Sequence, residues 1–457
     1  MTSENNERKA GLDKAVTDCL EAVRKNPKDD NALCDLGHAI FDLADFIQDK
    51  SLFEKSLEKY KDAATLNPQN SEAFNNWGNA LSEIGRLDDD IKFLKASIEK
   101  YREAINLYPD YSAAHFNWGY ALTEMARITK DETLLRASFE KFDRAVKYDL
   151  KNVGAYLLWG EALSELGVIK QDEALIETSF HKFNEALKID PTNTDILHSW
   201  GYAIFDLAML KQDEKHYEES VEVYKKIIKI TPHDSAAFYN CGNGLSQLAR
   251  MKKDETLFIA AIEKYSRAFE INPDDHETLK KWGNSLADLG NIKKDEALFE
   301  ASFEKYDKAI QIKSDKSETY RNWAYVLSNL AELKKDETLF IESFEKHSQA
   351  SKANPDYFEN VDDWVSNLMR AYKVTGEKTY LDEAEKKAKL AKKLNPDDLY
   401  NFACVKALQN DVEAAKKALL HCEKTDNLPV KADFVSDSDF DSFRELDWFK
   451  ELLTRLE

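Results

Sequence analysis

Asparagine recurs at Asn76, Asn117, Asn240 and Asn322, positions separated by multiples of 41 residues. Three residues further on, the same beat carries Asn79, Tyr120, Tyr202, Asn243, Asn284 and Tyr325. Four beyond that come Glu83, Glu124, Glu165 and Asp206. A carboxamide offers both a donor and an acceptor, so a column of them can pair with the backbone of an extended peptide without reading its side chains. Carboxylates in the next column favour a basic or uncharged ligand and disfavour an acidic one. The other reading of such columns is that they simply solvate an exposed helix face. Neither reading is catalytic. The chain holds no GxGxxG, no GxxxxGK[ST] and no HExxH. His115 and His198 have no partners at metal-ligand spacing, and no nucleophile–base pair stands out. The five cysteines form no CxxC and are expected as buried thiols in a reducing compartment. No enzymatic activity, cofactor or metal is expected.

The elements that position these columns repeat with them. Trp77, Trp118, Trp159 and Trp200 are 41 residues apart; Cys241 fills the next slot, and Trp282, Trp323 and Trp364 continue. Glycine follows from Gly37 to Gly283, and proline keeps step from Pro27 to Pro396, broken only at Leu150 and Ser314. Each period predicts two helices. Phe74, Trp77, Gly78, Leu81 and Ile84 share one helical face, and Ser97, Tyr101 and Ala104 form a second stripe. Proline then ends the second helix. Such a hairpin cannot bury its apolar side alone, but stacked copies can. The tryptophans lie on the apolar stripe and are expected in the core.

The spacing Phe74-x2-Trp77-Gly78-x2-Leu81, then Ser97-x3-Tyr101 and Pro109, resembles the tetratricopeptide repeat. Ala261-x3-Tyr265 with Pro273 resembles it more closely still. The resemblance implies an all-α, right-handed superhelical solenoid of antiparallel hairpins, with the asparagine, tyrosine and acidic columns lining its concave groove. It also implies a non-catalytic scaffold or adaptor that binds a protein or peptide. Alternatives are a self-assembling structural protein and a regulatory subunit of an enzyme complex. The family's usual period is about 34, so each unit here carries about seven extra residues. They fall at the hairpin tip, where KKDE stands at 252–255, 293–296 and 334–337. There Lys293 and Lys294 suit a helix C-terminus, and Asp295 and Glu296 suit the next N-terminus. A charged binding crest is the other reading of these tips.

Nine such periods are expected over 28–396, after an N-terminal segment 1–27 with a capping helix. A shorter final repeat at 397–424 and a capping segment at 425–457 follow. Net charge is −21. Binding to nucleic acid or to anionic membrane is therefore not expected, since both need basic surface. No apolar run reaches the roughly 20 residues a bilayer span needs. The start of the chain has no apolar signal region, which with the thiols gives a cytoplasmic expectation. Some family members grip a C-terminal carboxylate with a Lys/Asn set. Lys280, Asn284 and Asn322 fit part of that set, but Glu359 and Asp363 stand where its basic pair belongs.

Overall fold

Asp49, Asp90, Asp131, Asp172, Asp213, Asp254 and Asp336 each accept a backbone N–H two residues on, which starts the second helix of a hairpin. Glu377 stands in the same slot but makes no side-chain cap bond. A computed structural model describes residues 3–312 and 316–456, so Ser314 lies outside the described residues. The chain forms two compact units, 1–232 and 233–457.

The first unit contains α1 (Ser3–Lys25), then the hairpins α2 (Asp30–Ile47) with α3 (Lys50–Leu66), and α4 (Ser71–Asp88) with α5 (Ile91–Leu107). Next come α6 (Ser112–Thr129) with α7 (Glu132–Tyr148), α8 (Val153–Lys170) with α9 (Glu173–Ile189), and α10 (Thr194–Lys211) with α11 (Glu214–Ile230). The second unit pairs α12 (Ser235–Lys252) with α13 (Glu255–Ile271), and α14 (His276–Lys293) with α15 (Glu296–Ile312). It continues with α16 (Ser317–Lys334) and α17 (Glu337–Ala353), then α18 (Phe358–Thr375) and α19 (Lys378–Leu394). A shorter pair, α20 (Tyr400–Leu408) and α21 (Val412–Lys424), precedes α22 (Lys431–Ser436), a 3-10 turn (Ser438–Phe443) and α23 (Asp447–Arg455). Phe434, Phe440, Phe443, Phe449 and Leu452 from this last stretch are buried with residues of α20 and α21.

Within each unit, successive first helices touch one another, as α4 does α6 and α14 does α16. Successive second helices do so less, so the first helices line the inside of each stack. The packing pivot is a glycine beside the tryptophan. A Cβ built on Gly160 would lie 2.6 Å from Phe183 Cε1, and one on Gly78 would lie 2.5 Å from Tyr101 Cε1. Both rings are fully buried, so the two helices of a hairpin meet ring against backbone.

The tryptophans are not core in the sense expected. They are half-buried at the edge of the core clusters, and Trp77, Trp118, Trp159, Trp282, Trp323 and Trp364 each have a lysine of the paired helix over one ring face. Lys182 Nζ stands 3.3 Å from the Trp159 ring centre, Lys346 3.7 Å from Trp323 and Lys387 3.5 Å from Trp364. The lysine stem covers apolar surface while its charge meets the π face.

At the tips Lys293 ends α14, Lys294 takes a left-handed φ of 53°, and Asp295 accepts from the Ala297 N–H at 3.0 Å. The same left-handed slot holds Gln48, Asp89, Lys130, Gln171, Gln212, Lys253 and Lys335, and is glycine only at Gly376. The first lysine reaches sideways: Lys293 pairs with Glu255 at 3.6 Å, Lys334 with Glu296 at 2.7 Å and Lys211 with Glu173 at 2.9 Å. These groups are well exposed, and exposed pairs contribute little. Lys293→Glu with Lys294→Glu is therefore expected to lower stability by no more than about 1 kcal/mol. A larger loss on urea titration would show that the tips pack against something.

Candidate binding face

The asparagine column lies on the first helices of each unit, but the structure divides it by role. In the first unit Asn76 is buried. Its Nδ2 lies 2.6 Å from His38 Nε2, and its Oδ1 accepts from Asn75 Nδ2 at 3.1 Å. Asn117 Nδ2 donates to Asn75 Oδ1 at 3.0 Å. These amides pair along the stack with one another. In the second unit Asn240 is also buried, whereas Asn322 is half-exposed.

The next column has a purpose that spacing alone hid. Asn79 Oδ1 accepts the Tyr101 hydroxyl at 3.1 Å, Asn243 that of Tyr265 at 2.9 Å, and Asn284 that of Tyr306 at 2.7 Å. Each tyrosine slides under its glycine and delivers its hydroxyl to the inner face, where the amide satisfies it. Where that column holds Tyr120 or Glu161, the buried ring is Phe142 or Phe183 and has no hydroxyl to satisfy. The amino side of Asn79 donates in turn to Asn76 Oδ1 at 3.5 Å. Tyr202 and Tyr325 are about half exposed, at 48% and 50%, and Tyr120 is half-buried.

The acids differ along the first unit. Glu83 accepts from Arg86 Nε at 2.8 Å and Glu124 from Arg127 Nε at 3.3 Å. Burial nonetheless raises the Glu83 carboxyl, against the pull of Arg86. Glu165 and Asp206 have no ion pair among the described residues, and burial pushes the Asp206 carboxyl up to about 6. Glu161 accepts from Ser199 Oγ at 2.5 Å and is likewise raised by burial.

Cavities open among these side chains. In the first unit one of about 300 Å³ is lined by Phe41, Asn79, Glu83, Asn117 and Tyr120, and another of about 590 Å³ by Glu161, Glu165, Val168, Ile169, Tyr202 and Asp206. In the second unit one of about 160 Å³ is lined by Arg250, Asn284, Asp288, Asn322 and Tyr325. A neighbouring cavity of about 370 Å³ adds Lys294, Asn329 and Arg370.

The carboxylate-gripping set does not assemble. Lys280 is buried and held by Glu277 at 2.7 Å and Glu318 at 2.5 Å, and Arg321 is held by Asp363 at 2.6 Å. Elsewhere, Cys404, Asp437 and Asp439 converge near the 3-10 turn. Lys373 pairs with Asp439, Tyr400 donates to Asp437 at 2.7 Å, and burial holds the Cys404 thiol well above its ordinary range. That cluster joins α20 to the segment after α21.

The hairpins are of the tetratricopeptide type, and each unit is a helical solenoid of them. Residues 48–154 and 143–240 match the plant-specific mitochondrial import receptor subunit TOM20 family, together less than half of the chain. No curated protein sequence matches. Among solved structures, the C-terminal part of a TPR repeat-containing protein from Cytophaga hutchinsonii is 14% identical with a TM-score of 0.44, over 62% of this chain and 98% of that one. YrrB, a TPR protein with an unusual peptide-binding site, is 17% identical at TM-score 0.36, over 49% of this chain and 97% of its own. PilF of Pseudomonas aeruginosa is 16% identical at TM-score 0.37, over 55% and 94%. The cytoplasmic expectation does not stand: the matched family is a mitochondrial one. Thiol usage and an acidic composition report redox state and charge, and these do not distinguish one reducing compartment from another.

Proposed function

We propose that the protein is a non-catalytic scaffold that holds an extended, basic or uncharged polypeptide segment against the inner face of its first helices. The observation that carries this is the coincidence of the cavities with the repeat columns: residues of those columns line a cavity in each unit. Half-exposed tyrosines supply flat contact area, and the amides supply hydrogen bonds that any backbone can use. The match of 48–240 to an import receptor family supports a receptor-type role for this face.

The test starts from a random peptide library panned on the full chain. The strongest binder is titrated by fluorescence anisotropy against Asn117→Ala with Tyr120→Ala, and against Asn322→Ala with Tyr325→Ala. At least one pair should weaken binding about tenfold or more, as loss of a buried aromatic anchor does. If both pairs bind normally while Lys141→Ala or Lys346→Ala on the second helices abolishes binding, the inner-face reading fails.

A further inference from the structure

The charges of the KKDE tips are not all matched. In the second unit Asp295 and Asp336 cap helices. Lys293 pairs with Glu255 and Lys334 with Glu296, each reaching back one hairpin. The second lysine is left over. Lys253, Lys294 and Lys335 hold the left-handed slot of three successive hairpins, are exposed, and make no ion pair among the described residues. In the first unit that slot holds Gln48, Asp89, Lys130, Gln171 and Gln212, so no cation there follows another. The acidic column changes as well. Asp42, Glu83, Glu124, Glu165 and Asp206 in the first unit give way to Gln247, Asp288, Asn329 and Arg370 in the second. The two carboxylates beside the second unit's cavities, Asp288 and Glu332, are held by Arg250 at 2.8 Å and by Arg370 at 3.0 Å.

The two cavities adjoin, sharing Asn291 and Tyr325. Lys294 and Asn329 line the larger, of about 370 Å³, and Asn322 the smaller. The side chains of Asn291, Asn322 and Asn329 make no hydrogen bond among the described residues, and Tyr325 is half exposed. We propose that these joined cavities bind an acidic, otherwise polar segment of a partner polypeptide, whose carboxylates meet Lys294 and the lysines before and after it while its backbone pairs with the free amides. This goes beyond the inner-face reading, because it gives the second unit a ligand of the charge that the acidic column of the first unit repels. It also uses lysines of the tips, where these repeats are longer than the ordinary one. The choice of occupant follows from the lining. A basic segment would face Lys294 and Arg370. An apolar one would cover three amides without giving them partners. An uncharged polar one would serve the amides but leave a row of lysines without counter-charge, in a chain whose net charge of −21 makes such a row exceptional. An acidic segment serves both.

The experiment uses the full chain and three synthetic peptides of equal length with a photo-crosslinking residue: Glu/Ser/Asn, Gln/Ser/Asn and Arg/Ser/Asn. The Glu peptide should bind at least about fivefold more tightly than either other peptide, with affinity falling as salt rises. Lys294→Gln with Lys335→Gln should weaken it about fivefold and flatten the salt dependence. Asn291→Ala with Asn329→Ala should weaken it with the salt dependence kept. Lys308→Gln with Lys352→Gln, the same change of charge on exposed sites of second helices, should alter nothing. Equal binding of the Gln peptide, or an equal loss in the second-helix variant, overturns the proposal, since amides alone or net charge alone would then explain capture. Tighter binding of a single-stranded oligonucleotide of the same charge also overturns it, because the row of lysines would then be a phosphate site. Crosslinks of the Glu peptide that fall outside α14, α16 and α18 sink it as well. The inner-face reading is decided separately, by the library-selected binder, so the two can fail independently.

Discussion

Gly160→Val should destabilise the α8–α9 hairpin by about 3 kcal/mol, near the upper end for overpacking a closed core. Helix propensity opposes this loss, because valine is a slightly better helix former than glycine. The whole penalty must therefore come from contact. A Cβ at Gly160 falls 2.6 Å from the ring of Phe183, which is fully buried and has nowhere to swing. Phe183→Ala alone should cost about 3–5 kcal/mol by leaving a cavity. The two together should cost less than their sum, by about 2 kcal/mol or more. The chain itself makes the compensated exchange elsewhere. Glycine faces a large ring from Gly37 with Tyr60 to Gly283 with Tyr306. The next pair by spacing is Ala324 with His347, and the one after is Val365 with Ala388, each larger residue on the first helix matched by a smaller one on the second. Amide hydrogen exchange across α8 and α9, with urea titration of each variant, measures the cycle. Simple additivity of the two single changes would show that glycine is there for some reason other than the ring.

What was legible in the sequence is what depends on neighbours along the chain. The period, the aspartate caps and the proline stops are local signals, and the helices begin where they place them. Side-chain roles that depend on the crossing of two helices were not legible in the same way. Asn79, Asn243 and Asn284 read as free amides because nothing in one helix says that a tyrosine hydroxyl arrives from the other. A signal was present all the same: 22 residues after each of these asparagines stands a tyrosine, while Tyr120 and Glu161 are followed at that distance by Phe142 and Phe183. Lys182 over Trp159 follows the same logic at a spacing of 23. Lys280 could be matched to a clamp by position, but its burial between Glu277 and Glu318 depends on a neighbouring repeat. The left-handed residue at each tip was missed because lysine and glutamine do not advertise positive φ, as glycine does.

Acid should weaken the second unit through His347, the residue that replaces a large ring in that column. It is fully buried, stacks on Trp364 and is bonded at both ring nitrogens. Nδ1 lies 2.8 Å from Asn360 Oδ1, and Asn367 Nδ2 lies 2.8 Å from Nε2. Because an amide oxygen can only accept and an amide nitrogen can only donate, the ring must be neutral with its proton on Nδ1. A second proton would set two donors face to face between Nε2 and Asn367. Burial accordingly pushes the His347 pKa down from its ordinary 6.5 to about 4, and Arg321 and Lys387 push the same way. The folded state then binds fewer protons than the unfolded chain between those values, so stability is full above pH 6.5 and falls as pH drops toward 4. The contribution lost is on the order of 3 kcal/mol, at about 1.4 kcal/mol per pKa unit. Asp362 acts in the opposite sense, since burial raises it to about 7 and its proton favours the folded state. The comparison with His347→Phe separates the two. That variant strands Asn360 Oδ1, while Asn367 Nδ2 keeps Ser343 Oγ at 3.1 Å, and should lose about 1–3 kcal/mol at neutral pH. Its stability should nevertheless fall less on going to pH 4, because the depressed His347 no longer titrates while the raised Asp362 still does. Urea unfolding of both proteins, followed by tryptophan fluorescence from pH 7 to pH 4, reads the difference. Parallel pH profiles for the two would mean that His347 carries no part of the acid sensitivity and that its two amide partners hold it equally well when charged.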